Sequence, residues 1–458
     1  MRDDSDTIFA QATPPGRAAI AVIRISGGNA FDAPALFGCT VPPPGTFQIA
    51  RLVDGEGARL DEALILAMKG PRSSTGEDVV EIHAHGSMAV TAAILRRLGA
   101  VDGFRPAGPG EFTHRMFANG KIDLLGAEAL ADLIDAETDR QRLQAWRQRD
   151  GSLHRPVDSW RGALVRLAAQ LEAIIDFADE ELPDDIAARI HADTRALAKA
   201  MESVLDDDHE GERVRSGVKV SLVGPVNAGK STLLNRIAGR DVAIVSSQAG
   251  TTRDVVSVRI DLDGVPVTLL DTAGLRDTDD DIEAEGVRRA RHAAREADAV
   301  LFVMDATDPE WAAELTRLRD LSGPSRAVLL TKRDRLDDTA TRAVTDSLSG
   351  VPETASLVSL EASAKGTDIA QVIDMLRGLV VPANRPDTQS IITRARHRHA
   401  LARAVDALRA AGRLDLASSP ELAAEEYRRA ADSLGRLTGQ VDVEELLDSI
   451  FSSFCIGK

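Results

Sequence analysis

The chain has 458 residues, 55 of them basic and 72 acidic, for a formal net charge of −17, and 43% of its residues are hydrophobic. This length suggests two to four domains, and the apolar content excludes wholesale disorder. The acidity argues against a broadly basic nucleic-acid-binding protein, though not against a local basic patch.

Two cysteines, Cys39 and Cys455, cannot make a disulfide framework or a zinc site alone. There is no apolar run of about 18 residues, and the first ten residues, MRDDSDTIFA, are acidic and lack a signal-peptide core. A soluble protein of a reducing cytoplasm is expected, with no membrane partner. Cys455 sits near the chain end like a prenylation site, but Lys458 suits that poorly and no second anchoring signal precedes it.

In chain order, residues 1–121 alternate strands and helices. AAIAVIRIS (18–26) and EALILAM (62–68) read as strands and MAVTAAILRRL (88–98) as a helix. Arg24 lies inside the first strand, where a charge is costly unless it is paired or binds an anion; a salt bridge to Glu81 and a ligand contact are both open. His83 and His85 alternate on one strand face, without a third metal-ligand signal nearby. Cys39 reads as a packing residue. Residues 122–215 carry helical spacing of Leu, Ile and Ala, with breaks near Gly151 and Pro183. The acidic runs 176–185 and 206–212 read as solvated surface.

At Val218 a βαβ pattern begins and extends to residue 381. VKVSLVG is a short apolar strand; VVSVRIDL and VPVTLLD flank Asp263-Gly264, a two-residue hairpin signal. AVLFVMD (299–305) and AVLLTK (327–332) read as buried parallel strands. Residues 382–390 read as a linker, and helical patterning returns in the remainder to 458. HRHALARA (397–404) starts that stretch as a basic helix face, open to a phosphate-bearing ligand or to solvent. One helical domain interrupted by an inserted α/β domain is the economical organisation.

The chemistry concentrates in the inserted block. GPVNAGKS, from Gly224 to Ser231, fits G-x-x-x-x-G-K-[ST] between a strand and a helix. In that setting backbone N–H groups wrap phosphates, Lys230 reaches the outer phosphates and Ser231 ligates Mg2+. Asp271-Thr272-Ala273-Gly274 ends the next strand, where Asp271 can hold the Mg2+ shell and the Gly274 N–H can meet a γ-phosphate. Thr331-Lys332-Arg333-Asp334 ends another, and Ser363-Ala364-Lys365 follows a further one. These resemble the guanine-reading elements of GTPases. An Asp334 carboxylate accepts from the purine N1–H and 2-amino group, a pair that adenine lacks, so GTP is favoured over ATP. Thr331 stands where Asn is usual, a departure expected to weaken the bracing of the loop, while Asp334 is intact. Leu275 stands where Ras-like GTPases have a water-orienting Gln, so another residue must place the water.

Gly250-Thr251-Thr252-Arg253-Asp254 falls where a first switch belongs. With NAGKS and DTAGLR it resembles the TrmE–Era–EngA-like GTPases. DTIFAQATPPGRAAIAVIRISG (6–27), TGEDVVEIHAHG (75–86), PGEFTHRMFANGKIDLLGAEALADLIDAET (109–138) and FCIGK (454–458) are similar to the MnmE (TrmE) family of tRNA-modifying GTPases. The resemblance spans the whole chain.

It implies an α/β and α protein. Residues 1–121 would form an N-terminal tetrahydrofolate-binding and dimerisation domain, 122–215 the first part of a helical domain, 216–381 an inserted Ras-like P-loop G domain, and 382–458 the second helical part with the terminal FCIGK. It implies a homodimer that works with a flavoprotein partner, MnmG, carrying FAD and using NADH. Together they add a carboxymethylaminomethyl group to C5 of the wobble uridine of certain tRNAs, with a folate (5,10-methylene or 5-formyl tetrahydrofolate) as one-carbon source.

By resemblance, nucleotide contacts fall on Asn227, Ala228, Gly229, Lys230, Ser231 and Thr232. They continue on Ser246, Ser247, Gln248, Ala249, Gly250, Thr251 and Thr252, and on the motif residues named above. Asn227, Ser246, Gln248 and Thr251 resemble K+ ligands, Thr252 the second Mg2+ ligand beside Ser231, and Glu283 the residue that orients the attacking water. Glu283, Asp271 and Thr252 would carry catalysis. Arg24, Glu81, Lys121 and Lys458 match folate-contacting positions, with Cys455 near the folate. The alternative is a regulatory GTPase switch in ribosome assembly, which leaves the N-terminal third without a role; a one-carbon-transfer enzyme with a regulatory G domain overlaps the first reading.

Overall fold

A computed structural model describes residues 6–176, 185–240, 242–244, 257–271, 297–318, 325–351, 354–359, 367–380, 390–440, 447, 450–452, 454 and 456–457. The chain forms two compact units. One comprises residues 1–131, 148–199 and 400–458; the other comprises 132–147 and 200–399.

The first unit is built on a six-stranded sheet of β1 (Thr7–Gln11), β2 (Ala18–Ser26), β3 (Phe47–Val53), β4 (Arg59–Met68), β5 (Val79–Gly86) and β6 (Phe104–Pro106), in the order β3-β4-β5-β2-β1-β6. All neighbours are antiparallel except β1 and β6. One face carries the core of Ile23, Ile25, Ile65, Ile82 and Val80, covered by Ile94 and Leu98 of α1 (Met88–Gly99). Alternation along each strand supplies that face, as period-two patterning requires. The predicted strands at 18–26 and 62–68 and the helix at 88–98 lie within β2, β4 and α1. β5 is the strand on which His83 and His85 were expected to alternate, and β1, β3 and β6 were not read from the sequence. β3 keeps Phe47 and Ile49 exposed on the sheet edge, so its pattern lacks an inward apolar set.

Helices follow: α2 (Glu111–Ala118), α3 (Leu124–Asp135), α4 (Asp139–Arg149), α5 (His154–Asp176), α6 (Ile186–Leu205) and α7 (Glu210–Ser216). α5 buries Val157, Trp160, Leu164, Leu167 and Leu171, a single stripe at three- and four-residue spacing. The stripe packs on α13 (Pro420–Thr438), which buries Ala423, Ala424, Tyr427, Ala430, Leu434 and Leu437. The Tyr427 hydroxyl lies 2.6 Å from that of Thr194 in α6, so its polar end is satisfied where it is buried.

The second unit holds a sheet of order β12-β11-β10-β7-β9-β8, from β7 (Val218–Val223), β8 (Ser257–Leu262), β9 (Val265–Asp271), β10 (Ala299–Asp305), β11 (Ser325–Thr331) and β12 (Thr354–Leu357). Only β8 and β9 pair antiparallel. β10 explains the near-continuous apolar runs: Ala299, Leu301 and Val303 enter one core, Val300, Phe302 and Met304 the other. The helices α8 (Lys230–Ala238), α9 (Trp311–Leu318) and α10 (Asp338–Leu348) lie between the strands in sequence, and α11 (Thr367–Val380) follows β12. The predicted hairpin is present, with Asp263 and Gly264 at φ 52° and 84°.

The run 206–212 is only in part the solvated surface expected: Asp206 and Asp208 are exposed, but two of its carboxylates turn to the protein. Asp207 is buried and pairs with Arg398 of α12 (Ala395–Ala411) at 2.5 Å, and Glu212 takes the same guanidinium at 3.1 Å. Arg394 likewise reaches Asp132 at 2.6 Å. Arg398 in the first turn of α12 is therefore committed to protein carboxylates, while His399 and Arg403 of the same stretch are exposed. Among the described residues, no helix is long and apolar enough to cross a membrane.

A buried charge network anchors α2. Glu111 accepts from Arg105 at 2.6 Å and from the Gly108 N–H at 2.7 Å, and Arg115 pairs with Glu77 at 3.0 Å. Burial alone would raise the Glu111 pKa. The Arg105 hydrogen bonds, the Gly108 N–H and the charges of Arg105 and Arg115 outweigh it and hold the carboxyl below its ordinary value of 4.5. A carboxyl depressed by folding contributes stability that is complete above its ordinary value and lost as pH falls through its folded one. Glu111→Gln should therefore lower protection of the α2 amides in hydrogen exchange at neutral pH. It should also flatten the loss of protection seen in the parent on acidification below pH 4.5.

Candidate functional site

β9, β7, β10 and β11 run parallel and end along one edge of the second sheet, and the carboxyl edge of a parallel sheet is where α/β proteins bind ligands. After β7 the chain turns at Gly224, where a Cβ would lie 1.9 Å from the Val303 carbonyl oxygen; only glycine fits. Asn227 and Gly229 adopt left-handed φ values of 64° and 100°, and α8 starts at Lys230. Backbone N–H groups at such a helix start, with the helix dipole, favour an anion.

The Lys230 ammonium donates to the Gly224 and Pro225 carbonyls at 2.7 Å each, inside its own loop. Burial pulls its pKa below the ordinary lysine value, and the charge of Asp271 opposes the drop. The Ser231 hydroxyl donates to Asp271 Oδ2 at 2.8 Å. A hydroxyl and a carboxylate oxygen at this spacing fit a hard divalent cation. Thr232 follows, exposed in the first turn of α8.

Further contacts fix the end of β11 and the turn that follows it. The Thr331 hydroxyl, fully buried, is shared between the Ala228 carbonyl at 2.7 Å and the Met304 carbonyl at 3.1 Å. Thr at this position thus braces the phosphate loop directly, although the shorter side chain suggested a weakened loop. Lys332 Nζ meets Asp305 Oδ2 at 2.5 Å. Asp334 lies on a short 3-10 turn after β11, and its Oδ1 accepts from the Ser359 hydroxyl at 2.5 Å. Ser359 in turn donates its N–H to Asp368 Oδ2 at 2.9 Å, and Asp368 also takes Arg333 at 3.0 Å.

Ser359, Asp368 and Asp305 were missed by sequence reasoning. The available signal was positional: Asp305 and Ser359 stand at or just past the carboxyl ends of β10 and β12. Ser246, Ser247, Gln248, Ala249, Gly250, Thr251, Thr252, Thr272, Ala273, Gly274, Leu275, Glu283, Ser363, Ala364 and Lys365 lie outside the described residues.

In the first unit Arg24 on β2 faces Glu81 on β5 in register, with Arg24 Nε to Glu81 Oε1 at 2.8 Å. The guanidinium also lies 5.8 Å from the ring centre of Phe112. The costly strand charge is therefore paired, and Glu81 Oε2 takes His83 at 3.1 Å. His85 pairs with Asp61 at 2.8 Å, so the two histidines go to separate carboxylates. Among the described residues no cluster of three or more His, Cys, Asp and Glu could hold a metal. Lys121 donates to the Pro71 carbonyl at 2.8 Å, and Asn119 secures the same loop through the Thr75 carbonyl at 2.9 Å. The Cys39 thiol packs by the core and donates to the Arg51 carbonyl at 3.2 Å, and burial raises its pKa.

The chain's last segment docks on this sheet. Phe451 and Phe454 pack together and Phe451 meets Phe117 and His114 of α2. Ile456 bridges Pro109, and Gly457, at φ 97°, sits where a Cβ would be 2.3 Å from the Gln11 carbonyl oxygen. Gln11 follows Ala10, which faces Arg24. Cys455 and Lys458 lie outside the described residues.

A strand, a glycine loop and a helix that open on a serine bound to the aspartate of the next strand, with an aspartate-bearing loop alongside, define a Ras-like P-loop GTPase domain. Comparison with known families matches residues 7–121 to the GTP-binding protein TrmE N-terminus and residues 124–455 to the MnmE helical domain. Chains named tRNA modification GTPase MnmE from Paramagnetospirillum magneticum and Parvibaculum lavamentivorans are 49% and 47% identical over 456 and 457 residues, covering 99% of this chain and all of each relative. One from Ruegeria pomeroyi is 44% identical over 458 residues, with the same coverage. The chain belongs to the MnmE family of tRNA modification GTPases.

Loss of the hydroxyl that orients Asp334 has a defined expected effect. Ser359→Ala should weaken binding of a fluorescent GDP by about tenfold, the scale of one hydrogen bond to a charged group, with the circular dichroism spectrum unchanged. Unchanged affinity would show that Asp334 needs no such support.

Proposed function

We propose that this chain is a potassium-activated GTP hydrolase that, with a flavoprotein partner of the MnmG kind carrying FAD and using NADH, adds a carboxymethylaminomethyl group to C5 of the tRNA wobble uridine from a folate one-carbon unit. In this reading residues 1–121 bind tetrahydrofolate and dimerise, 216–381 form the G domain, and 122–215 with 382–458 form the helical domain. The exposed Phe47 and Ile49 on the edge strand β3 support dimerisation through the N-terminal domain. The reaction is assigned to the cytoplasm.

The nucleotide enters the carboxyl edge of the second sheet. Lys230 exchanges the carbonyls of its own loop for the outer phosphates. Asp334, held by Ser359, takes the guanine edge. Ser231 and Asp271, with Thr252, hold Mg2+, which neutralises charge on the β- and γ-phosphates. Asn227, with Ser246, Gln248 and Thr251, holds K+, which offsets charge on the γ-phosphoryl oxygens as an arginine finger does elsewhere, an effect of about 10³–10⁵ in rate. Glu283 orients the attacking water that Leu275 cannot.

The folate reading rests most on the seating of the tail. Gly457 lies against Gln11, one residue along β1 from the partner of Arg24, and this supports a pocket shared by Arg24, Glu81, Lys121 and Lys458. Hydrolysis then acts as a conformational clock for the modification, not as a source of its bond energy.

GTP turnover by the purified protein should rise by about tenfold or more when K+ replaces Na+; equal rates in the two salts would remove the potassium assignment. Arg24→Ala should lose calorimetric binding of 5-formyltetrahydrofolate while keeping GTP turnover. Mass spectrometry of wobble uridine from cells carrying only that variant should then show the modification missing. Full modification would move the folate site elsewhere.

A further inference from the structure

β8 lies at the edge of the second sheet, with β9 on one side. On its other side it holds a short piece of the chain that precedes it. The Ile244 N–H donates to the Arg259 carbonyl at 2.8 Å, the Asp261 N–H donates to the Val242 carbonyl at 2.8 Å, and Ala243 bridges Ile260. β8 itself begins at Ser257. Residues 250–254, expected as the first switch, fall in sequence between Ile244 and Ser257. The chain on both sides of that stretch is therefore anchored on one edge strand, close to Arg259.

An edge strand has few restraints of its own, and here more come from outside the α/β block. Arg259 donates to Glu137 Oε1 at 2.6 Å, and the Thr138 hydroxyl donates to the Gly264 carbonyl at the hairpin tip at 2.7 Å. Glu137 and Thr138 link α3 to α4, and all four residues belong to the second unit. The local sequence prepares the contact. Thr138-x-x-Gln141 forms a capping box: the Thr138 hydroxyl oxygen accepts from the Gln141 N–H at 3.2 Å, and Gln141 Oε1 accepts from the Thr138 N–H at 3.1 Å. The threonine oxygen is thus used within its own helix start, and its one proton is left for Gly264. Gly264 needs to be glycine on two counts. Its φ is 84°, and a Cβ there would lie 2.4 Å from the Cβ of Arg140. α4 is fastened to the residues just before β7 as well. Gln141 Nε2 donates to the Arg215 carbonyl and Gln144 Nε2 to the Gly211 carbonyl, each at 3.0 Å, and Arg140 pairs with Glu210. The start of α4 is therefore a fixed platform under the β8–β9 hairpin.

We propose that Glu137 and Thr138 are positioning residues for GTP hydrolysis: they hold β8 and the hairpin tip, and through β8 they fix where the first switch begins and ends. The proposal rests on the reading of Thr251 and Thr252 as ligands of K+ and Mg2+. Ligands of that kind act on phosphate charge that grows in the transition state, so a loosened β8 slows turnover more than it weakens binding. The ground-state nucleotide is held from other elements, the glycine loop and the turn that carries Asp334.

The test is steady-state GTP turnover by the full chain in K+. Glu137→Ala and Arg259→Ala should each lower kcat by about fivefold, with the KM for GTP and the affinity for labelled GDP within about twofold of the parent. The double variant should lose no more than either single one. Thr138→Val should lower kcat by a similar factor, whereas Thr138→Ser, which keeps the hydroxyl, should not. Unchanged kcat in Glu137→Ala, losses that add in the double variant, or a fall in GDP affinity that matches the fall in kcat would overturn the proposal. If Thr138→Val does not fold, the Glu137 and Arg259 variants decide the matter, since both side chains reach solvent. Thr252→Ala separates the proposal from the switch reading. Lost turnover there upholds the switch, and normal turnover in Glu137→Ala would then sink the platform alone; normal turnover in Thr252→Ala would sink the switch reading itself.

Discussion

The hydrogen bond from the Thr331 hydroxyl to the Ala228 carbonyl joins the strand end that leads into Asp334 to the glycine loop that leads into Lys230. A buried carbonyl left unpaired costs about 1–3 kcal/mol, so the two elements hold their spacing together. That spacing decides whether one nucleotide can touch Lys230 and Asp334 at once. The same hydroxyl also reaches the Met304 carbonyl, which fixes the end of β10 and hence Asp305. Two strand ends and the glycine loop are thus registered by one small side chain. The lysines on either side of this brace answer to it: Lys230 rests on carbonyls of the loop that Thr331 steadies, and Lys332 follows Thr331 directly.

The first unit solves a related problem with charge. Its sheet carries Arg24 and Glu81 on neighbouring strands, and α2 carries Glu111 and Arg115 into the interior. Removing one member of such a buried set costs about 3–5 kcal/mol, because its partner keeps its charge without compensation. The set also fixes geometry. Arg115 reaches Glu77, whose loop neighbour Thr75 meets the Ser26 hydroxyl at 2.7 Å, so the loop containing Pro71 is tied to the end of β2. Lys121 and Arg24 are therefore held by one connected framework, although 96 positions of sequence lie between them.

Much of this was legible beforehand where one local pattern carries the information. GPVNAGKS has few structural meanings between a strand and a helix. The apolar runs of β7, β10 and β11 announce strands covered on both faces, and Asp263-Gly264 announces the hairpin. Edge strands were less legible. β3 points Phe47 and Ile49 outward, so no inward stripe marks it. Side-chain partnerships across long sequence distances were seldom legible, although the Arg24–Glu81 pair was among the alternatives left open. The Ser359 hydroxyl on Asp334 and the carboxylate of Asp207 on Arg398 depend on where separate elements arrive in space. The run at 206–212 looks like solvated acid until α12 supplies its arginine. Thr331 was read as a weakness because composition shows the shorter side chain but not how near the Ala228 carbonyl lies.

The bridge between Pro109 and Ile456 has a consequence for the order in which the chain can acquire structure during synthesis. Strands β7 to β12 all lie between residues 218 and 357, so their sheet can close while later residues are still being added. The first unit cannot be finished then. Its α2 region receives Phe451, Phe454 and Ile456, contacts that span more than 300 residues and form only when the last of the chain has emerged. Until that moment the apolar ground around Phe117 stays open. The GTPase sheet is thus available to fold early, whereas the surface around Gln11 and Arg24 gains its final wall last. A truncated product would keep the first and lack the second.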